Sequence, residues 1–251
     1  MNIYIVAHKE VDIPNVDGYT PIQVGDKEDI FSLRDNQGEN ISKKNQSFCE
    51  LTAAYWIWKN TNDLITGLVH YRRFFVKKIL KFSQSDILDE KKIKRILRKY
   101  DLIVPQPLYL FHNNVYNHYK KIYHIEDYEK CGEIIKKKYP EYYETFKEVS
   151  NSHELVACNM MITSHDIFAE YHKWLFDILF ELEECTDVSD YDDYNKRLYG
   201  FISERLFTVW IKKNKQYKIK YCPVINIENQ HNTKEYIFNQ MRKICLKFMG
   251  N

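Results

Sequence analysis

The sequence has 251 residues, of which 44% are hydrophobic and 29% charged, the composition of a soluble globular protein with one sizeable core. Its 37 lysines and arginines nearly balance its 35 aspartates and glutamates, so a net charge of +2 gives no support for nucleic-acid binding through bulk positive charge. Six scattered cysteines form neither a CxxC pair nor a Cys/His cluster, which argues against a disulfide framework and a structural zinc site.

The first predicted element is a buried, β-branched strand over residues 3–7, which ends at His8 and Lys9. Such a first strand is typical of α/β nucleotide-binding folds, whose ligands lie beyond the carboxyl ends of the strands. Residues 11–45 are rich in Asp, Asn, Gly and Pro, and they are long for a structureless loop, so we expect them to have a function. Helical spacing of apolar residues predicts the first helix over residues 48–59.

A second apolar strand, residues 65–69, leads directly into His70-Tyr71-Arg72-Arg73. Two adjacent guanidiniums beside a histidine are costly to bury unless anions pair with them. A diphosphate is one such anion, since arginine matches its oxygens in bidentate fashion. The alternative is a pair of surface arginines flanked by aromatic packing, and the pattern alone leaves both open.

The remaining elements alternate between strands and helices. We predict helices over residues 86–100, 116–149 with a break at Pro140, 167–184 and 201–212, and strands over 102–104, 155–163 and 219–224. This alternation predicts an α/β fold with a mainly parallel central sheet flanked by helices on both faces.

Four further segments could carry chemistry, each with a plain structural alternative. Residues 35–45 offer short polar groups and a glycine that can bind phosphates or sugar hydroxyls, or form an ordinary capped loop. Asn159, in an apolar strand, is a ligand or a satisfied core amide. Glu204 has two interpretations: it contacts the hydroxyl of an acceptor substrate, or it is an acidic side chain that complements a helix dipole. Tyr119 and His124 also have two: they line a groove for such an acceptor, or they lie on a solvated helix face.

Several expected motifs are missing. The sequence has no Walker loop, GxGxxG or GxSxG motif, and the strand before His70 does not end in the Asp-x-Asp with which many glycosyltransferases hold a divalent metal. Asp190-Tyr-Asp192 spells that motif, but it lies in an acidic loop with no apolar strand before it, which argues against a metal site there.

Taken together, the segments resemble a bacterial family of capsular and O-antigen polysaccharide glycosyltransferases that was long catalogued as a domain of unknown function and includes galactofuranosyltransferases. The resemblance spans nearly the whole chain. It rests on residues 3–9, 21–25, 35–45, 49–60 and 67–73, and continues through Tyr119 with His124, Asn159-Met160, and 200–205.

The resemblance implies a GT-A-like, Rossmann-type fold in a single domain over residues 1–251, with a nucleotide-binding half over about 1–105 and an acceptor half over about 106–230. It implies transfer of a hexose, galactofuranose or galactose, from a UDP-sugar donor to a polysaccharide or undecaprenyl-linked acceptor. His70-Tyr-Arg-Arg73 occupies the place of the metal-binding motif, so we expect the arginines to neutralise the leaving UDP with no metal cofactor. The alternative is that the transfer reaction depends on Mn²⁺ or Mg²⁺.

Residue roles follow from this resemblance. For binding the nucleotide, its diphosphate or the donor sugar, we expect His8, Lys9, Asp35, Asn36, Asn40, Ser42, Asn45, His70, Tyr71, Arg72, Arg73, Asn159 and Arg205. Glu204 is the candidate base, with Asp192 and Asp193 as competitors, and Tyr119 and His124 are the acceptor candidates.

Residues 231–251 alternate apolar and basic side chains, which predicts a basic amphipathic helix that lies on an anionic membrane surface or packs on the domain. No segment is long and apolar enough for a signal peptide or a membrane span, so we expect a cytoplasmic protein, with the inner face of the cell membrane as a second location. Rival functions are a non-catalytic, lectin-like glycan-binding module and a sugar-nucleotide hydrolase.

Overall fold

The structure is a computed structural model, and it describes residues 1–25, 29–79 and 82–228. The ten strands in these ranges are β1 (Asn2–Ala7), β2 (Tyr19–Gln23), β3 (Ile65–His70), β4 (Arg73–Phe75), β5 (Leu102–Pro105), β6 (Leu108–Tyr109), β7 (Glu154–Leu155), β8 (Met161–Ser164), β9 (Ile219–Cys222) and β10 (Val224–Asn226). The eight α-helices are α1 (Asn45–Phe48), α2 (Leu51–Asn60), α3 (Glu90–Leu97), α4 (Val115–Ile122), α5 (Ile125–Lys138), α6 (Pro140–Asn151), α7 (His165–Glu184) and α8 (Leu198–Lys213).

Eight of the strands form one sheet in which β1 pairs in parallel with both β2 and β3. On the other side of β3, β8 runs antiparallel to both β3 and β5, and β9 pairs in parallel with β5. The strands β1, β2, β3, β5 and β9 therefore all point the same way. The predicted α/β fold, with a mainly parallel sheet between helices, is confirmed.

The sheet is buried on both faces because alternate side chains of a strand point to opposite sides. Tyr4 and Val6 of β1 pack into a large core cluster with α2, α5, α7 and α8. Ile3 and Ile5 pack on the other face, with α3 and β4. Gly67 of β3 lies between Ile3 of β1 and Ile162 of β8 on this second face, where an added Cβ would be 2.8 Å from both Ile162 Cγ1 and Ile3 Cδ1.

Two predicted elements are interrupted by non-glycine residues with positive φ. The helix predicted over 48–59 is divided into α1 and α2, because Cys49 has a left-handed backbone with φ 51°. The strand predicted over 155–163 is divided into β7 and β8, because Cys158 and Asn159 have φ values of 79° and 46°. Both interruptions border the candidate site.

The break predicted at Pro140 is confirmed, since this proline begins α6, where its missing N–H costs no helical hydrogen bond. The helix predicted over 201–212 begins earlier, at Leu198, so Glu204 lies inside α8 and not at its first turn. No helix in the described ranges has both the length and the apolar character needed to cross a bilayer. The predicted C-terminal helix over 231–251 lies outside the described residues.

Candidate active site

A cleft of about 720 Å³ opens beside the carboxyl ends of β1, β2 and β3. This is the edge at which open α/β sheets bind their ligands. Val6, Val24 and His70 mark the strand ends in the cleft. The opposite wall is formed by α1, the link from α1 to α2, and the first two turns of α8. The cleft therefore lies between the sheet edge and a wall made of two helices and a turn.

The strand-side wall is aromatic and basic. Tyr71 is buried, and the exposed His8 ring contacts it edge-on, with ring centroids 5.4 Å apart. The Lys9 ammonium and the Arg72 guanidinium lie 5.2 Å and 5.5 Å from the centroid of the Tyr71 ring. Tyr71 thus holds cationic side chains at the cleft mouth through cation–π contacts.

The β3–β4 hairpin places His70 and Arg73 opposite each other across the two-residue turn formed by Tyr71 and Arg72. The Arg73 Nη1 atom lies 3.5 Å from Nδ1 of His70. Burial, reinforced by the charge of Arg73, lowers the pKa of His70 from 6.5 to about 3. His70 is therefore a neutral imidazole at physiological pH, and the positive charge of this hairpin belongs to its arginines.

A third guanidinium reaches the cleft from the helical wall. Arg197 precedes α8, donates through Nε to Sγ of Cys49 at 3.2 Å, and lies 5.4 Å from the Phe201 ring centroid. Within the described ranges, no carboxylate lies at ion-pair distance from Arg73 or Arg197. Arg72 pairs with Glu228 at 3.6 Å, where both side chains are exposed. Arg73 and Arg197 therefore retain positive charge that an anionic ligand could neutralise.

The left-handed backbone at Cys49 is rare for a residue with a side chain, and it determines what faces the cleft. Asn45 stabilises the break, since its Nδ2 donates to the carbonyl of Cys49 at 2.9 Å and to Oγ1 of Thr52 at 3.1 Å. The chain then turns so that Cys49 and Glu50 both line the cleft. An unbroken helix would not present these two neighbours together on one face.

A second left-handed turn holds two carboxylates of the cleft. The Cys158 N–H donates to Oε1 of Glu204 at 2.8 Å, and the Asn159 side-chain amide donates to Oε1 of Glu50 at 2.8 Å. The same Asn159 amide also donates to the carbonyl of Gly200 at 3.2 Å, which ties the turn to α8. This turn therefore fixes Glu50 and Glu204 relative to each other.

Both carboxylates resist ionisation. Burial raises the pKa of Glu50, and the hydrogen bond from Asn159 partly opposes the shift. Burial also raises the pKa of Glu204, and the charge of Arg205 opposes this shift. The Glu204 side chain is 23% exposed. A carboxylate with a raised pKa in a cleft is better matched to proton transfer near neutral pH than an ordinary surface carboxylate.

Comparison with known proteins places this architecture in a family. A family model described as "Domain of unknown function (DUF4422)" matches residues 2–215, which is most of the chain. The chain belongs to the DUF4422 family. No curated protein matches it.

A solved structure described as "WbbM bifunctional glycosytransferase apo structure" superimposes on this DUF4422 domain with a TM-score of 0.82 and 32% sequence identity. The match covers 91% of this chain and 45% of the WbbM chain, so this chain spans less than half the length of that protein. The fold of this chain is thus shared with part of a bifunctional glycosyltransferase.

In this DUF4422 domain, many of the residues predicted from the sequence meet at the cleft. Those that line it are His8, Asn45, His70, Tyr71, Arg72, Arg73, Asp193 and Glu204. Lys9 lies beside them on Tyr71 and pairs with Glu228 at 3.5 Å. Asn159 lies behind the wall and holds Glu50, and it is not among the lining residues.

The loop over residues 35–45 reaches the cleft only through Asn45. Asp35 is buried next to β2, where its N–H donates to the carbonyl of Gln23 at 3.0 Å. Asn40 binds the carbonyls of Asn36 and Gly38 at 3.2 Å and 2.9 Å, and Ser42 donates to Asn40 at 2.9 Å. The structure therefore places Asp35, Asn36, Asn40 and Ser42 outside the cleft walls. Hydrogen bonds within the loop stabilise it there.

Arg205 is a buried support for Glu204 and does not line the cleft. Its guanidinium is 1% exposed, donates to Oε2 of Glu204 at 3.2 Å, and lies 5.2 Å and 5.4 Å from the ring centroids of Tyr119 and Tyr123. Position 205 was expected to bind the donor, but α8 begins at Leu198 and directs this side chain inward.

Tyr119 was expected to bind an acceptor, but it is 0% exposed and stacks on Tyr128 with ring centroids 5.2 Å apart. It therefore lies in the core. His124 is exposed and stacks on Tyr191 at 4.0 Å, outside the cleft lining. Asp192, a competing base, accepts from the backbone and side chain of Asn195 at 2.8 Å and 2.9 Å, so both of its oxygens are engaged.

Two of the charged side chains that line the cleft, Glu50 and Arg197, were not predicted. Glu50 lies in the helix predicted over residues 48–59, where helical spacing gave no reason for its side chain to face a ligand. The signal that could have identified Arg197 is its place just before an apolar helix, beside Gly200. Among the described residues, no group of three or more His, Cys, Asp or Glu side chains is arranged to hold a metal ion.

Proposed function

We propose that this chain is a glycosyltransferase that binds a UDP-sugar in the cleft and transfers its hexose, galactofuranose or galactose, to a polysaccharide or lipid-linked acceptor. One observation carries the proposal: Arg72, Arg73 and Arg197 converge on a cleft at the sheet edge that also contains Glu50 and Glu204. The WbbM match supports glycosyl transfer in this family, and the choice of UDP and hexose follows the family resemblance.

The proposed chemistry begins at the diphosphate. Arg73 and Arg197 neutralise the charge that develops on it as the bond from the anomeric carbon to the diphosphate oxygen breaks and UDP leaves with the electron pair. No divalent metal is required in this proposal, because the guanidiniums supply the positive charge. Activity in excess chelator tests this point, and complete loss that Mn²⁺ restores would refute it.

Glu204 is the proposed base. A new bond forms between the acceptor oxygen and the anomeric carbon, and the proton of the acceptor hydroxyl moves to the Glu204 carboxylate. The Cys158 N–H and Arg205 hold this carboxylate, which restricts its orientation in the cleft. Asp193 lines the same cleft, is exposed, and stays the competing base.

The proposed setting is capsule or O-antigen biosynthesis in the bacterial cytoplasm, with peripheral contact at the inner face of the membrane. This setting rests on the family resemblance and on the alternating apolar and basic residues of 231–251. Flotation of the full-length protein and of a variant that ends at residue 228 with liposomes of anionic lipid tests the membrane contact.

The function is tested by a thermal-shift screen of UDP-, GDP-, CMP- and dTDP-sugars, followed by transfer assays on each sugar nucleotide that stabilises the protein. The proposal predicts stabilisation by UDP and UDP-sugars and transfer that the Glu204→Gln variant lacks. Release of free sugar without transfer would indicate a hydrolase. No stabilisation by any nucleotide would indicate a glycan-binding module and contradict the proposal.

A further inference from the structure

Three aromatic rings lie together at the rim of the cleft, and the proposed chemistry does not use them. Tyr194 and Phe201 line the cleft, and Tyr123 packs against both. The ring centroids are 5.1 Å apart for Tyr194 and Phe201, 4.4 Å for Tyr123 and Phe201, and 5.9 Å for Tyr123 and Tyr194. We call these three residues the aromatic platform.

The platform is accessible although its rings pack on one another. Tyr194 is 48% exposed, whereas Tyr123 and Phe201 are half-buried beneath it. A large aromatic ring that serves only the core would be covered, and most other tyrosines of the chain are buried or partly buried. Tyr194 therefore offers an apolar ring face and a hydroxyl to a ligand in the cleft.

The chain holds the platform in place. Asp192 accepts from the Asn195 N–H at 2.8 Å, and this hydrogen bond spans Tyr194 just before the short 3₁₀ helix Asn195–Arg197. Beneath the platform, the Arg205 guanidinium lies 5.4 Å from the Tyr123 ring centroid. A surface fixed before binding loses little conformational entropy when a ligand stacks on it.

The platform lies beside the proposed base and away from the strand ends. Phe201 and Glu204 are three residues apart on α8, so they are neighbours on one helix face, about 5–6 Å apart at their Cβ atoms. The strand-side residues His8 and Tyr71 form the other wall of the cleft. A ring stacked on Phe201 or Tyr194 would therefore present its hydroxyls toward Glu204.

We propose that the aromatic platform is the acceptor subsite and that it binds one sugar ring of the acceptor glycan through the ring's C–H face. This inference rests on the proposed function, since it needs Glu204 as the base. Sugar rings combine an apolar face of C–H bonds with hydroxyls at the edge, which matches an aromatic surface next to a carboxylate. The competing occupant is the nucleobase of the donor, because bases also stack on aromatic rings.

The test uses the full chain saturated with UDP and four probes: methyl β-D-galactopyranoside, methyl β-D-glucopyranoside, methyl α-D-mannopyranoside and methyl α-L-rhamnopyranoside. Saturation-transfer NMR measures binding of each probe to wild type, Tyr194→Ala, Tyr194→Phe and the control Tyr221→Ala. Tyr221 is 39% exposed and lies on β9, outside the cleft lining. Calorimetry measures UDP affinity for the same proteins.

We expect at least one glycoside to show saturation transfer that falls about twofold to tenfold in Tyr194→Ala and is retained in Tyr194→Phe and Tyr221→Ala. UDP affinity should stay unchanged in all four proteins. Equal saturation transfer in wild type and Tyr194→Ala, or none from any probe, would overturn the subsite. A loss of UDP affinity in Tyr194→Ala would assign the platform to the nucleobase instead. Failure of UDP to bind wild type would contradict the proposed function itself.

Discussion

The backbone N–H of Cys158 donates to Oε1 of Glu204 at 2.8 Å, and Cys158 has a φ of 79°. A non-glycine residue in this region costs about 1–3 kcal/mol, and such residues persist where the surrounding structure requires them. Here the strained turn orients one cleft carboxylate through its backbone and a second, Glu50, through the side chain of Asn159. The turn therefore positions both carboxylates in the cleft.

The first prediction concerns Glu204. Replacement by Gln should lower kcat by about 10²- to 10⁴-fold, the range for loss of a general base, with UDP affinity retained. Because burial raises the pKa of Glu204, the acid limb of the wild-type kcat/KM profile should lie above the usual glutamate range, with activity rising as pH rises through that pKa. Kinetics from pH 4 to 9 measure this limb.

The matched control for Glu204 is Asp193→Asn, the competing carboxylate of the same cleft. If Glu204 is the base, this control should keep the acid limb and most of its activity. Near-normal turnover by Glu204→Gln, together with loss in Asp193→Asn, would transfer the role of base to Asp193.

The second prediction is that Glu50→Gln stabilises the protein near neutral pH while it changes the cleft. Since burial raises the pKa of Glu50, the ionised form costs folding free energy above that pKa, and a neutral amide avoids this cost. We expect a Tm higher by about 2–4 °C at pH 8, the effect of about 1 kcal/mol in a domain of this size.

The gain from Glu50→Gln should be smaller at pH 5 than at pH 8, because Glu50 takes up its proton as the pH falls through its raised pKa and the wild type then becomes neutral at this position too. Scanning fluorimetry at both pH values measures the difference. Glu184→Gln, an exposed glutamate at the end of α7, is the control and should leave Tm unchanged at each pH. A lower Tm for Glu50→Gln at pH 8 would contradict the prediction.

The third prediction concerns His70, whose pKa is lowered from 6.5 to about 3 by burial and by Arg73. The unfolded chain binds a proton on this histidine below pH 6.5 and the folded chain does not. His70 therefore contributes stability that is present above pH 6.5 and is lost as pH falls toward 3. NMR of ¹³C-labelled histidine should show no titration of His70 between pH 5 and 8, whereas the urea-unfolded protein titrates normally. A titrating His70 signal in the folded protein would contradict the burial of this side chain.

The fourth prediction compares two glycines. Gly67→Ala should destabilise the protein by about 1–3 kcal/mol, because the new Cβ would lie 2.8 Å from Ile3 and Ile162 in the core. Gly200→Ala should have the opposite sign, with a gain of about 0.4–1 kcal/mol, because the new Cβ lies 3.4 Å from the nearest atom, Sγ of Cys49, and the position is helical. Urea unfolding measures both changes. Equal effects of the two substitutions would contradict the packing described between β1, β3 and β8.

The sheet and much of the strand-side wall could be predicted from the sequence, because they follow from local patterns. An apolar strand that ends in His70-Tyr71-Arg72-Arg73 has its polar residues at the sheet edge whatever the rest of the chain does. Glu50 could not be predicted in this way. Its place in the cleft depends on the left-handed backbone at Cys49, whose Sγ accepts a hydrogen bond from Arg197, 148 residues later in the chain.

Long-range packing also accounts for the residues that the structure places elsewhere. Arg205 and Tyr119 belong to segments on which the family resemblance rests, yet they contact each other in the core, where the Arg205 guanidinium lies 5.2 Å from the Tyr119 ring centroid. A charged side chain is not expected in a core by composition alone. Only the packing of α4 against α8 shows that Arg205 supports Glu204 from behind.

Isothermal calorimetry of UDP tests directly whether the guanidiniums of this cleft bind a diphosphate. Arg73→Ala should weaken UDP binding by about 10- to 100-fold, the effect of about 1.5–3 kcal/mol for a hydrogen bond to a charged group, and added salt should reduce the difference. The control Arg98→Ala, an exposed arginine after α3, should bind UDP as wild type does. Equal UDP affinity in Arg73→Ala and wild type would contradict the account.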